Sequence, residues 1–427
     1  MPMKSRIKNF DALASSPARA DALSVIEAAY AAIDTDRALR AKVTLVGDVL
    51  TIGNERIDLS HYDRVFIVGC GKVACQAAAT LEDIVRAYVT DGAVVGVTDR
   101  VCDIVTTYQG THPLPSSVNF AASDHMRRIG EAVTERDLVL AVIGGGGSAL
   151  LCSSQGECDQ SSELYNAFLR SGGTIDELNV VRRHLSPLKG GGLAKLLYPA
   201  TIVGLIFSDV SGGDLRTVAS GPTYMDDSTV ADAEAIIDAY HLGSYALIET
   251  PKDGTYFEKV RNILIVSNET ALKAMGDKAR ALGYESREPA CDPYGAPESV
   301  LRAMNEAAAP GSMMIFGGEP RLAVPPEGKG SGGRSGYMAL VSLDMLTGGQ
   351  VFASFASDGR DNGDVAGAIV DVGSKRRLLD ARVPLQEHAV RYDSHTVFGK
   401  IGDLIMTDVM EANVSDLALL LTPHDSP

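Results

Sequence analysis

An α/β fold, with a large doubly wound parallel sheet followed by a smaller α/β domain, is predicted by three observations on this 427-residue sequence. Apolar runs of strand length occur at 64–68, 93–98, 138–143 and 201–207, and continuous runs of this kind suit strands buried on both faces. Helix-forming segments lie between them, giving the order β-α-β-(β)-α-β, which favours parallel strands. Glycine-rich turns follow several of the strands, the place where doubly wound sheets carry their ligand loops.

Composition narrows the class. The chain is 45% hydrophobic and 22% charged, ordinary for a globular protein, and long enough for two or three domains. A formal net charge of −16 argues against nucleic acid or an anionic membrane as partner, because phosphate affinity comes from clustered Lys and Arg. An anionic substrate would need basic residues gathered locally in a cleft. The opening Met1-Pro2-Met3-Lys4-Ser5-Arg6-Ile7-Lys8 is not followed by the apolar core of a signal peptide. No apolar run approaches the roughly 20 residues of a membrane helix, and a cytoplasmic protein is expected. Cys70, Cys75, Cys102, Cys152, Cys158 and Cys291 form no CxxC pair, so reduced thiols are expected.

Taken in order, Ser16-Pro17 opens a first helix as N-cap and first helical residue, with Leu23, Ile26, Tyr30 and Ile33 on one face. A hairpin joins 43–46 to 49–52 through Gly47-Asp48. The strand at 64–68 runs into Gly69-Cys70-Gly71-Lys72-Val73-Ala74, the G-x-G-x-x-A form of the dinucleotide fingerprint. The acidic residue that a dinucleotide site wants after the second strand comes late, at Asp99. Lys72 stands at a helix start, where a cation works against the dipole unless an anion lies between them. It is read as facing a phosphate; a solvated surface lysine is the plain alternative. His112, in Gly110-Thr111-His112-Pro113, is read as an ordinary loop histidine ahead of a substrate contact. The run 138–143 then breaks into Gly144-Gly145-Gly146-Gly147-Ser148, whose amides, with the dipole of a following helix, invite an anion. Ser148 would cap that helix or meet the ligand; a turn needing positive φ is the alternative.

Helices are predicted over 161–171 and 175–185, the second holding Asn179, Arg182, Arg183 and His184. Lys189-Gly190-Gly191-Gly192 repeats the context of Lys72, a cation beside a glycine turn. No Walker A motif is present, so any nucleotide is held by another geometry. The strand at 201–207 ends in Ser208-Asp209-Val210-Ser211-Gly212-Gly213-Asp214. Two carboxylates at a strand's carboxyl end suit magnesium, which takes one or two carboxylates plus water and phosphate oxygens. Asp209 is read as a metal or catalytic residue, and Asp214 stays open between metal ligand and turn former. The polar stretch 241–259 marks a domain boundary, dividing the chain into 1–245 and 260–427. In the second block Gly328-Lys329-Gly330-Ser331-Gly332-Gly333-Arg334 reads as a flexible cationic loop able to close on developing charge. The spacing of Asp358, Asp361 and Asp364 superficially suggests a calcium loop but lacks the EF-hand order.

Together these motifs, with Asn179-Val180-Val181-Arg182-Arg183-His184-Leu185-Ser186, Ala219-Ser220-Gly221-Pro222-Thr223 and Ala366-Gly367-Ala368, resemble the class II (MOFRL-type) glycerate 2-kinases, in family order from about 15 to 421. The resemblance implies a large Rossmann-like N-terminal domain, a smaller C-terminal α/β domain, and an active site in the cleft between them. It also implies transfer of the ATP γ-phosphoryl group to the 2-hydroxyl of D-glycerate with magnesium. Lys72 and Arg334 match the family's catalytic cations, and Asp209 joins them as candidate base. Gly69, Gly71, Gly145, Gly146, Gly147, Ser148, Lys189, Gly190, Gly330 and Gly332 are the candidate nucleotide and substrate loops; Asp209, Asp214 and Asp358 are the candidate metal ligands.

Departures from the family pattern bear on the substrate more than on the phosphoryl chemistry, since polar partners set specificity. Gly192 replaces an arginine, Ser335-Gly336-Tyr337 replace Asn-Gln-Glu, and Glu411-Ala412-Asn413 replace Gly-Thr-Asn. A kinase of a related small hydroxy or sugar acid is therefore an alternative. So is an NAD(P)H-dependent hydroxypyruvate reductase, for which His184 beside Arg183 is the one acid and carboxylate-binding pair. A non-catalytic nucleotide-binding regulator is a third reading, and whether the chain forms a homodimer stays open.

Overall fold

The computed structural model describes residues 5–169, 171–210, 212, 214–324 and 330–424. Gly328 and Lys329 of the expected cationic loop, Ser211 and Gly213 beside Asp209, and the opening Met1 to Lys4 lie outside them. Contacts divide the chain into two units, one of 35–266 and one of 1–34 with 267–427.

In the larger unit the helix Thr35–Lys42 is followed by an antiparallel ribbon of β1 (Val43–Val46), β2 (Val49–Ile52) and β3 (Glu55–Asp58). Gly47 takes the positive φ, 58°, that the tight turn between β1 and β2 requires. Then come β4 (Arg64–Cys70), β5 (Val89–Gly96), β6 (Thr106–Gln109), β7 (Asp137–Gly144), β8 (Thr201–Phe207) and β9 (Val260–Val266). These six pair in the order β6-β5-β4-β7-β8-β9, every pair parallel. The chain builds outward from β4 through β5 and β6, returns to β7 on the other side of β4, and continues to β9. Its reversal falls between β4 and β7, and doubly wound sheets bind ligands at such a switch point, beyond the strands' carboxyl ends.

Both central strands are buried almost throughout because helices cover each face. Phe66, Val68, Val139, Ile143, Leu150, Leu193 and Ile206 share one core. That core fixes the register of β4 against β7, with Arg64 opposite Asp137 and Cys70 opposite Ile143. The loops after the two strands therefore leave the sheet at the same level.

The smaller unit holds β10 (Glu285–Arg287), β11 (Ser312–Gly318), β12 (Val351–Ala356), β13 (Gly367–Asp371), β14 (Leu404–Ile405) and β15 (Asp416–Thr422). They run in the order β10-β11-β15-β12-β13-β14; only β10 and β11 are parallel to each other. The last strand of the chain thus enters the middle of its sheet.

Two expectations change. The first helix, Pro17–Ile33, belongs by its contacts to the smaller unit rather than to an N-terminal domain of 1–245. It packs along the helix Asn268–Ala281. Tyr30 donates to the carbonyl of Ala356 at 3.1 Å and meets the Phe355 ring edge-on. Buried Arg19 donates to Asp403 at 2.8 Å and to Asp371 at 3.2 Å. At the other boundary, the stretch 241–259 leads into β9, the edge strand of the parallel sheet, so the division falls after Val266. The second change concerns the thiols: Cys152 and Cys158 form a disulfide across the turn that enters the helix Gln155–Phe168, with Cα atoms 5.7 Å apart. Among the described residues no helix is long and apolar enough to cross a membrane.

Candidate active site

At the switch point the loops after β4 and β7 interlock. The amide of Lys72 donates to the carbonyl of Gly145 at 2.9 Å. Gly71 has φ of 130°, and a Cβ there would lie 2.7 Å from the backbone of Gly144, so only glycine allows this approach. Gly69 is likewise closed against Val142, and Gly147 against Ala219 and Cys70. Burial pushes the Cys70 thiol up to about 12, so this sulfur is an inert filler under the loop.

At Gly146, with φ of 77°, two side chains converge: a Cβ there would lie 3.1 Å from the His112 ring and 3.3 Å from Cγ of Lys72. A Cβ on Gly145 would collide with the carboxylate of Asp209, which comes from the end of β8. The structure thus brings Lys72, Gly145, Gly146 and Asp209 together. It also brings His112, which had been read as an ordinary loop residue. Its ring is exposed in part, but withdrawal from water, then the charges of Lys72 and Arg182, bring its pKa down to about 4. His112 is therefore a neutral hydrogen-bonding group at working pH.

Other expectations for this loop change. Only a single helical turn, Gly147–Leu150, follows it, capped by Gly146 rather than Ser148. The expected helix dipole is thus missing here, and the longer helix Ala74–Val85, entered through Lys72, carries one instead. Ser148 lies 2.8 Å from the hydroxyl of Ser220, which in turn donates to Oδ1 of Asn179 at 3.2 Å. Ser220 and its neighbour Ala219 both hold positive φ, 60° and 52°. Such backbone costs about 1–2 kcal/mol per residue and gathers at functional sites. The sequence singled out Ala219 and Ser220 only as part of the family resemblance, because strain of this kind has no local signal.

Lys189 departs most from its expected role. Its ammonium is buried, donating to Glu157 at 2.8 Å and to the carbonyl of Leu151 at 2.9 Å. Burial alone would raise the Glu157 carboxyl, but Lys189 and neighbouring hydroxyls outweigh it and hold it below its ordinary value. The amides of Gly190 and Gly191 are spent on the carbonyls of Ser220 and Gly221, so this turn braces the strained segment and offers no phosphate cradle. Gly192 has no room for a side chain, since a Cβ would collide with the carbonyl of Pro187. Loss of the family arginine there is thus part of the local backbone packing. Arg183 pairs with Asp226 at 2.7 Å, and His184 is buried between Ser228 and the carbonyl of Ile248. The pair that a reductase would need is consumed by structure.

Asp214 caps the turn Leu215–Ser220 through the amide of Arg216 and pairs with that residue's guanidinium, so its position is explained without a metal. Among the described residues no three His, Cys, Asp or Glu side chains gather into a metal site.

The smaller unit carries the other predicted residues. Gly330 and Gly332 pack closely on 391–394, so these two glycines serve chain packing rather than an open phosphate loop. The first amides of the helix Arg334–Ser342 are also occupied. Asp361 accepts from Gly333 at 3.2 Å, Ser335 at 3.0 Å and Gly336 at 2.7 Å. The supposed calcium spacing is thus broken by Asp361 turning to this helix. Asp358 accepts from the amide of Arg360. Arg334 donates to Asp416 at 2.8 Å and to Glu319 at 3.2 Å. Burial, opposed by Arg334 and helped by Asp361 and Glu319, pushes the Asp416 carboxyl up to about 7. The unusual Ser335-Gly336-Tyr337 is a packing solution: Ser394 fills the space beside Gly336, and Tyr337 stacks on Tyr392 and donates to Glu298 at 3.0 Å.

The fold defines a doubly wound α/β protein with two interlocked glycine loops and Lys72 at its switch point, joined to a second α/β unit. Comparison with known proteins is specific. A domain of unknown function, DUF4147, matches residues 21–249, and the MOFRL family matches 312–416. A D-glycerate 2-kinase of Thermotoga maritima is 29% identical over 93% of this chain and 97% of its own. An Agrobacterium vitis protein provisionally named as a hydroxypyruvate reductase is 33% identical over 84% of this chain and 87% of its own. The crystal structure of glycerate kinase from Thermotoga maritima superposes with a TM-score of 0.82 at 28% identity, covering 94% of this chain and 98% of that one. The chain belongs to the MOFRL-type glycerate kinase family.

Proposed function

We propose that the protein is an ATP-dependent kinase that moves the γ-phosphoryl group of ATP to the 2-hydroxyl of D-glycerate. The observation that carries this reading is the pair of interlocked glycine loops around Lys72 at the switch point, in a chain similar to glycerate kinases over nearly its full length. Phosphoryl transfer needs little covalent help from a protein; it needs positioning and stabilisation of developing charge. Lys72 supplies a cation beside the loop amides, and neutral His112 can hydrogen-bond without adding a second charge. Arg334, kept in one orientation by Asp416 and Glu319, is the second cation that the family resemblance assigns.

The donor set at the end of β8 suits magnesium in one respect: a single carboxylate, Asp209, stands against the loop at Gly145, and magnesium takes its remaining ligands from water and phosphates. Asp209 would hold the ion, and the ion when bound neutralises phosphate charge.

The reductase reading rests on the name of the Agrobacterium vitis relative and on G-x-G-x-x-A. Against it stand the consumed Arg183 and His184, and an Asp99 that lies beyond the end of β5. The test is ADP release from magnesium-ATP with D-glycerate, L-glycerate and C4 sugar acids, with phosphorus NMR to place the phosphate. ADP release with D-glycerate, yielding the 2-phosphate and lost in Lys72→Ala and Arg334→Ala, is the expected result. Silence across the panel, with NADH oxidation on adding hydroxypyruvate, would replace the kinase by the reductase.

A further inference from the structure

Asn179 and Arg182 stand one turn apart on the helix Ile175–Leu185 and so share a face. Asn179 is tied through Ser220 to Ser148 of the glycine loop. Nearby cations of the same segment are neutralised, Arg183 by Asp226 and Lys189 by Glu157. Arg182 is different. Among the described residues its guanidinium makes no ion pair or hydrogen bond; it lies over the face of Tyr165, 5.8 Å from the ring centroid. It is half-buried, and desolvation lowers its pKa to about 10. Its charge reaches His112, whose ring lies against Gly146.

A cation held out of water with no counter-ion is costly, and the cost is recovered when an anion arrives. On the kinase reading the phosphates are met by Lys72 and the loop amides. A flat guanidinium, held by an aromatic face, presents two parallel donors that match a carboxylate. Gly192, where the family carries an arginine, has no space for one.

Building on the kinase reading, we propose that Arg182 grips the carboxylate of the hydroxy-acid substrate, with Tyr165 fixing the plane of its guanidinium beside the glycine loop. Arg182 is then the residue that separates a hydroxy acid from an uncharged polyol.

The experiment compares wild type, Arg182→Gln and Arg182→Lys in steady-state kinetics with D-glycerate, with the uncharged glyceramide, and with ATP. A lost charge-assisted pair predicts a rise in the D-glycerate KM of about 10- to 100-fold in R182Q, with the ATP KM within about twofold. The wild-type preference for D-glycerate over glyceramide should collapse in R182Q. R182K keeps the charge but not the fork, and should show a smaller rise at an unchanged melting temperature, so it reports even if R182Q folds poorly. An unchanged D-glycerate KM, or a rise confined to ATP, overturns the proposal. Should wild type phosphorylate no hydroxy acid, the kinase reading fails by itself, and calorimetry of D-glycerate and D-lactate without ATP decides the arginine. Binding lost in R182Q sustains it; equal binding or none in wild type overturns it.

Discussion

Replacing Lys189 by alanine separates two roles that a lysine beside a glycine turn can have. In the structure its ammonium is buried between Glu157 and the carbonyl of Leu151. Both side chains of the pair are almost wholly out of water, 1% and 3% exposed. Removing the ammonium strands a buried carboxylate and an acceptor. Breaking such a pair costs about 3–5 kcal/mol, and at about 2–4 °C per kcal/mol for a unit of this size the melting temperature should drop by roughly 6–20 °C. The double variant Lys189→Met with Glu157→Gln removes both charges and should recover much of the loss. The pair has a pH signature. The native Glu157 carboxyl lies below its ordinary value of about 4.3, so its stabilisation is present above that value and is lost as pH falls through the lowered native one. Acid melts of wild type should therefore steepen below about pH 4.3, and those of the double variant should not. Thermal melts and ATP kinetics on the same preparations decide the matter. A stable Lys189→Ala protein whose ATP KM has risen tenfold would refute this reasoning and return Lys189 to the phosphates.

Three further outcomes follow from the geometry. Lys72→Ala should cut kcat by about 100- to 1,000-fold, the loss typical of one preorganised transition-state donor, with a melting temperature near that of wild type; equal loss of both would make Lys72 structural. Asp416 binds a proton up to about pH 7 in the native protein, whereas an unfolded Asp releases it near 3.9. Stability should consequently fall, by order 3 kcal/mol at most, as pH rises from about 4 to 7; a stability difference between wild type and Asp416→Asn that is flat over this range would contradict it. Asp361→Ala removes the acceptor of three amides at one helix start and should destabilise the protein by about 1–3 kcal/mol in urea unfolding; an unchanged midpoint would show that water replaces the carboxylate at no cost.

The parallel sheet was legible because its central strands β4, β7 and β8 are near-continuous apolar runs buried on both faces, whereas the edge strand β6, Thr-Thr-Tyr-Gln, carries no such signal. Its site was half legible. Lys72 and the loop Gly144-Gly145-Gly146-Gly147 were read as an approach to phosphate oxygens; the structure shows that the glycines also let the two loops approach each other. Lys189 carries the same local pattern and fails, because whether an ammonium meets solvent or a carboxylate depends on Glu157, 32 residues earlier in the chain. His112 was passed over for the converse reason: a histidine in a proline-rich loop looks ordinary until Gly146 is brought against it.

The amino-acid sequence by itself determined the central strands of the larger unit, their parallel direction, and its glycine loops, since periodicity, chain direction and the absence of a Cβ are local properties; it assigned β9 to the second block and left β3 unread. Only the tertiary structure decided where the first helix packs, which cations are spent on internal carboxylates, and which one is left without a partner among the described residues. Those outcomes rest on contacts between residues tens to hundreds of positions apart. Arg19 reaching Asp403 and Arg182 lying over Tyr165 are fixed by packing density and desolvation, and these have no local pattern.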